Sequence, residues 1–231
     1  MKLAILGTGT VGLTLASRLT GLGHDVMLGT RNADETSVRN TKDNYGGPSF
    51  MEWHALNIQV KLGTFSQAAS FGELIINATQ GANTINALNI AGEGNLMNKV
   101  LIDVTNPLDF SKGMPPTLLP ELCNTNSLGE EIQRLFPKTK VVKALNTMWC
   151  GLMVDPAMIG NGNHNVFICG NNTDAKLKVK ELLQQFGWNQ QDIVDLGDIT
   201  AARGTEMILP LWLRIMGSVG SGAFNFKIVK K

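Results

Sequence analysis

Cysteine, histidine, aromatic side chains and long apolar runs are all scarce in this chain of 231 residues, and each scarcity removes a class of explanation. The three cysteines, Cys123, Cys150 and Cys169, are odd in number and widely spaced, which argues against a disulfide framework or a zinc site and for reduced thiols. The three histidines, His24, His54 and His164, make no H-x-x-H or H-E-x-x-H pattern, so each reads as a surface residue rather than a metal ligand. No G-x-S-x-G elbow supports a serine nucleophile. The net charge is +1 and no Lys/Arg block occurs, which leaves no electrostatic footprint for nucleic acid or an anionic membrane. The most apolar stretch, Met207 to Met216, contains Pro210 and Arg214 and falls short of the ~20 residues a bilayer span needs. The apolar run after Lys2 stops at Gly7, too early for a signal-peptide core. The reading is a cytoplasmic protein that binds a small molecule.

What is present is a soluble globular composition, 43% hydrophobic and 17% charged. Short apolar runs bounded by turn residues alternate with helical spacing. Strands are expected at Lys2–Leu6, from Val26 to Leu28, Val60–Gly63, Leu74–Ala78, Val100–Val104, Val141–Leu145, Val166–Cys169 and Ile193–Leu196. Helices are expected after Val11, at Phe50–Leu56, Ser66–Phe71 and Asn83–Ala91, from about Ser127 with Glu130 completing a capping box, and at Asp174–Phe186. Tyr45-Gly46-Gly47-Pro48 reads as a loop. Such alternation predicts an α/β fold: a Rossmann-type, doubly wound, mostly parallel sheet over residues 1–198. Residues 199–231 form a small helical C-terminal segment, a cap or dimerisation element. Its helix is apolar around most of its circumference and so is expected to be buried on more than one side. Gly217, Gly220 and Gly222 read as a flexible turn beyond it.

The chemistry starts at Gly7-Thr8-Gly9-Thr10-Val11-Gly12, which matches G-x-G-x-x-G between the first strand and the first helix. Gly7 permits the tight turn, Gly9 lets a pyrophosphate approach the backbone, and Gly12 lets the helix pack on the strand. The helix N-terminus then presents unpaired N–H groups to the anion. NAD-binding units carry an acid at the end of the second strand, ~20 residues on. Here that position reads Thr30-Arg31-Asn32, a hydroxyl, a guanidinium fork and an amide suited to the extra phosphate of NADP.

In an open α/β sheet the ligand lies beyond the carboxyl ends of the strands. Those ends offer Thr79-Gln80, Asn106-Pro107 and Asn146-Thr147, which form hydrogen bonds but carry no ionisable catalytic group. A site of that kind suits hydride transfer between two aligned rings better than reduction of a carbonyl, which needs a proton donor.

Along nearly its whole length the chain resembles the coenzyme F-420-dependent NADP oxidoreductase family. The likeness rests on Lys2–Gly12 with Leu22-Gly23-His24-Asp25 and Gly29-Thr30-Arg31, on Val141-Val142-Lys143-Ala144-Leu145-Asn146-Thr147, and on Phe167-Ile168-Cys169-Gly170-Asn171-Asn172 with Asp174-Ala175-Lys176. Its last anchor is Arg203 with Glu206, Leu209-Pro210-Leu211 and Ile215-Met216. The resemblance implies that Thr8, Gly9, Thr10 and Val11 contact the coenzyme phosphates, Thr30 and Arg31 the NADP-specific phosphate, and that Ala144 lies near the nicotinamide. It also implies a homodimer, and a deazaflavin stacked on the nicotinamide beneath the C-terminal segment. Two places differ from the family's pattern: the loop Thr79-Gln80-Gly81-Ala82-Asn83 lacks a proline and an aromatic, and Asn146 stands where some members have histidine.

Three functional readings follow. The first is hydride exchange between NADP(H) and a ring-bearing carrier, with the deazaflavin ahead of flavin or quinone. The others are reduction of a small imine or carbonyl by NADPH, and a non-catalytic NADP sensor.

Overall fold

The computed structural model describes every residue except 43–46, so Tyr45 and Gly46 of the expected loop lie outside the described residues. Lys2–Leu6 forms β1, buried from Leu3 onward, and the chain turns at Gly7 into α1 (Thr10–Gly21), whose Leu13, Leu15, Ala16 and Leu19 face the core. Next come β2 (Asp25–Thr30), α2 (Ala33–Ser37), α3 (Phe50–Leu56) and β3 (Lys61–Thr64), then α4 (Phe65–Phe71), β4 (Leu74–Asn77), α5 (Thr84–Ala91), α6 (Glu93–Leu96) and β5 (Val100–Asp103). A two-stranded ribbon, β6 (Leu108–Asp109) with β7 (Thr117–Leu118), precedes α7 (Leu128–Leu135) and β8 (Lys140–Ala144). The chain continues through α8 (Cys150–Val154), β9 (Val166–Cys169), α9 (Thr173–Phe186), β10 (Ile193–Asp195) and α10 (Ala202–Val219).

The main sheet has eight strands in the order β10-β9-β8-β5-β4-β1-β2-β3. From β1 the chain winds outward to β3, then returns to β4 on the other side of β1. That reversal opens a crevice at the carboxyl ends of β1 and β4, where ligands of doubly wound sheets sit. β4, β5, β8 and β9 are almost wholly buried, because helices cover both faces. One layer includes Leu15, Phe50, Leu152 and Val179; the other includes Ala68, Leu88, Ile132 and Ala202.

One pairing departs from the parallel rule. β9 runs antiparallel to β8, with Ala144 opposite Ile168 and Lys143 opposite Cys169. Residues 145–165, with the single helical turn of α8 and two short turns after it, join the strands at one end of the sheet, so β9 enters from the end at which β8 leaves. Its first residues continue past the end of β8.

Three other expectations change, and a fourth, the cover of α10, is met on one side by this chain. His164 is buried at 4% exposure: its Nε2 lies 2.9 Å from the Pro156 carbonyl, Asn225 meets its Nδ1 at 2.8 Å, and its ring stands edge-on to Trp188. The Ser127 box is half formed. Ser127 accepts the Glu130 N–H, but the Glu130 carboxylate turns to Arg203 of α10 at 2.6 and 2.8 Å instead of the backbone. In α10, Leu209 and Trp212 face inward, whereas Met207 and Leu211 stay 42% and 55% exposed, so this chain itself covers one side of the helix. Gly217 belongs to that helix, and the turn begins at Gly220.

Candidate functional site

The glycine turn has the geometry of a phosphate cradle. Gly7 has φ +121°, and a Cβ there would lie 2.4 Å from the Ala78 carbonyl oxygen, so the turn packs against the end of β4. A Cβ on Gly12 would lie 2.2 Å from the Gly7 oxygen, which locks α1 onto the turn. A Cβ on Gly9 meets nothing within 4 Å: the space above it is open. Gly9 is also the N-cap of α1 and supplies no side-chain cap to its first turn.

Beside the turn, Arg31 is exposed and Thr30 half-buried at the end of β2. The Thr30 and Thr36 hydroxyls are 3.0 Å apart. Asn32 is the N-cap of α2, its Oδ1 accepting the N–H groups of Asp34 and Glu35, so only its Nδ2 hydrogens remain to offer. Arg39 was missed in the sequence. Its guanidinium donates to the Thr8 carbonyl at 2.6 Å and to the Thr8 hydroxyl at 3.2 Å, and lies over the Phe50 ring. Partial burial lowers its pKa. Thirty-one residues separate Arg39 from Thr8, so no local pattern announces the pair.

A cleft of about 810 Å³ starts at Thr8, Gly9 and Thr10 and follows the outer face of α1 through Thr14 and Arg18 to Gly21. Arg39, Lys42, Phe50 and Trp53 form its other wall, and among the described residues no carboxylate lines it. The strand-end amides do not line it.

Those amides lie deeper. Asn106 donates to the Asn146 carbonyl at 2.8 Å, and Asn146 returns a bond to Asn106 Oδ1 at 3.0 Å. Asn146 and Thr147 are 2% and 1% exposed, yet Asn146 Oδ1 and Thr147 Oγ1 have no hydrogen-bond partner. Just before them Leu145 adopts φ +64°, a strained conformation for a branched side chain and of the kind that gathers at functional sites. Ala144, expected near the nicotinamide, is fully buried at the end of β8. Thr79 is half-buried, and its hydroxyl is committed to Asn77 Oδ1 at 2.8 Å.

The sequence also concealed an ionic row beneath the strand ends. Asn77, Asp103 and Lys143 are register neighbours on β4, β5 and β8. Lys143 Nζ donates to Asp103 at 2.7 Å and to the Thr105 carbonyl at 2.6 Å, and pairs with Glu206 of α10 at 2.7 Å. Burial alone would lower the Lys143 pKa, but the charges of Asp103 and Glu206 raise it overall. Burial raises Glu206 despite the opposing charge of Lys143. Among the described residues, no group of His, Cys, Asp and Glu is arranged to hold a metal ion, and no helix is long and apolar enough to cross a membrane.

Open space over Gly9, uncapped N–H groups on α1 and unpartnered polar atoms at the end of β8 fit an extended dinucleotide. Fold and site thus define an oxidoreductase of the Rossmann class. A family model described as "NADP oxidoreductase coenzyme F420-dependent" matches residues 2–107. The chain is 28% identical over 219 residues to the F420-dependent NADP reductase of Methanothermobacter marburgensis, covering 93% of this chain and 92% of that one. It is 30% identical over 218 residues to metalloreductase STEAP3 of Rattus norvegicus, but spans 38% of that protein's length. A crystal structure from Arthrobacter sp. FB24, assigned as an F420-dependent NADP reductase, superposes with TM-score 0.92 at 52% identity, with 100% of both chains covered. A reductive aminase from Aspergillus terreus shares the fold alone, at TM-score 0.63 and 17% identity over 94% of this chain and 62% of that one. The chain belongs to the coenzyme F420-dependent NADP oxidoreductase family and is an NADP-dependent oxidoreductase.

Proposed function

We propose that this enzyme moves hydride between NADP(H) and coenzyme F420, a deazaflavin, with an ordinary flavin as the nearest alternative acceptor. One observation carries the reading: the strand ends present amides and hydroxyls, while the ionisable groups nearest them, Asp103, Lys143 and Glu206, are sealed from solvent and bonded to one another. Ring-to-ring hydride transfer needs alignment and no protein acid. The bound coenzyme supplies the hydride.

In this reading Gly7, Gly9 and Gly12 shape the cradle, Thr8, Thr10 and Val11 border the phosphates, and the N–H groups of α1 hold them. Thr30, Arg31 and the Asn32 amide nitrogen take the NADP-specific phosphate, and Arg39 fixes Thr8 beside them. Asn106 and Asn146 seat the nicotinamide end above β8, the unmet Asn146 oxygen accepting from the carboxamide. Thr79 borders the same end, its hydroxyl held by Asn77. Seating the ring there requires the buried turn at Asn146 and Thr147 to open.

The test is spectroscopic: protein, NADPH and oxidised F420 are mixed, and loss of NADPH absorbance is followed with F420, with FMN and with neither. F420-dependent oxidation is expected. Oxidation with FMN alone shifts the acceptor to flavin, and turnover of a cyclic-imine panel without either replaces the reading.

Residues 1–198 supply the coenzyme unit in this proposal and residues 199–231 the cap and subunit contact. The three free thiols suit the cytoplasm. The outward Met207 and Leu211 pair across a homodimer, so Leu211→Asp is expected to convert a sedimenting dimer to a monomer. An unchanged sedimentation coefficient counts against that contact.

A further inference from the structure

A lysine in the middle of a buried strand needs a reason, because an ammonium loses its hydration there and is tolerated only when fully paired. Lys143 is 1% exposed, and its three N–H groups meet three oxygens: Asp103 Oδ2, Glu206 Oε1 and the Thr105 carbonyl. The partners are bound in turn. Asp103 Oδ1 accepts from Asn77 at 2.8 Å and from the Thr105 hydroxyl at 2.7 Å. Glu206 accepts the Leu128 and Gly129 N–H groups at 2.8 and 3.0 Å, closing the start of α7 from α10. Asn77 holds Thr79.

The row thus crosses β4, β5 and β8 two residues before Thr79 and three before Asn106 and Asn146. Its decisive contact is with the Thr105 carbonyl. That peptide leads directly into Asn106, which is bonded to Asn146 across the strand ends. Apolar residues in place of the row would remove the Lys143 bond to the Thr105 carbonyl and leave the Asn106–Asn146 pair without that support from below.

We propose that Lys143, bridging Asp103 and Glu206, is a positioning residue of this enzyme. It fixes the Asn106–Asn146 pair through the Thr105 carbonyl and ties that pair to the seat of α10, so that the nicotinamide is held in register for hydride transfer. The idea rests on the reading of Asn106 and Asn146 as the nicotinamide end. Lys143 touches no reacting atom in this role.

Lys143→Met alone strands two buried carboxylates and threatens folding. The informative variant is the neutral row, Asp103→Asn with Lys143→Met and Glu206→Gln, since replacing a whole buried ion cluster is often neutral for stability. Three quantities are measured on it: Tm, the NADPH Kd, and the single-turnover hydride rate with F420. A folded neutral row is expected to keep its NADPH Kd within about threefold, because the phosphates anchor the coenzyme elsewhere, and to lose hydride rate by roughly 10- to 100-fold. A wild-type rate in the folded variant overturns the proposal. Failure to fold overturns it too, since the row then holds the fold and not the ring.

A readout free of the acceptor separates this idea from the functional one. The fluorescence anisotropy of bound NADPH is expected to drop in the neutral row, reporting a loosened ring. If neither F420 nor FMN supports NADPH oxidation by the wild-type enzyme, the functional reading fails while anisotropy still decides the role of Lys143.

Discussion

In the proposed reading the choice of coenzyme rests on one side chain, Arg31. It lies exposed where an NAD-binding unit places an acid, so Arg31→Ala is expected to weaken NADPH binding by about 1.5–3 kcal/mol, the range for a charge-assisted hydrogen bond, and to leave NADH almost unaffected. Titration with both coenzymes checks this, and equal losses would remove Arg31 from the phosphate site. The same scale explains the inert thiol. Burial pushes Cys169 up to about 12 against the pull of Lys143, so the thiolate that reagents attack is nearly absent near pH 8. A thiol reagent is expected to label half-buried Cys123 in the native protein and Cys169 only after unfolding. Labelling of both at one rate contradicts that assignment.

Elements were legible where local chemistry decides them. Asn172 caps α9 by accepting the Ala175 N–H, and Gly187 ends that helix with φ +106°, so both ends could be read from the chain. α7 differs, because Glu206 supplements its Ser127 cap from a distance. Asn172→Ala is therefore expected to cost about 1 kcal/mol and Ser127→Ala less, since Leu128 and Gly129 keep their acceptor. Chemical denaturation of the two variants gives the comparison, and a larger loss at Ser127 would show that Glu206 adds nothing to the cap. The same distant partner explains the half-formed capping box: Arg203 draws the Glu130 side chain away from its own backbone.

At the scale of the molecule, acid stability sets two groups of carboxylates against each other. Burial pushes Glu130 up, but bonds from Arg203 and Ser127 outweigh it and leave its pKa lowered; Asp195 is lowered likewise by Lys176 and Lys180. Their stabilisation is present above their ordinary values and fades as pH falls through the depressed ones. Glu206 is raised, so its contribution runs the other way: it is full at low pH and lost as the buried carboxyl ionises. Glu206→Gln removes the term that favours acid, and the pH of maximum Tm is expected to move upward. A series of melting curves from about pH 3 to 9 tests the sign; a downward move would mean that Glu206 is not the group that favours acid.

By itself the sequence determined the Rossmann unit, the glycine cradle, Arg31 in place of an acid, and hence NADP, because each depends on residues a few positions apart. Strand alternation likewise announced the sheet. Only tertiary structure brought Arg39 to Thr8, Glu206 to Lys143 and α7, and Asn106 to Asn146, since each pair lies tens of residues apart and takes effect through burial. It also set β9 antiparallel to β8, which the strand's own apolar residues do not reveal because they are the same in either direction. A lysine that reads in the chain as one more charge became, once sealed between two carboxylates, a brace beneath the strand ends.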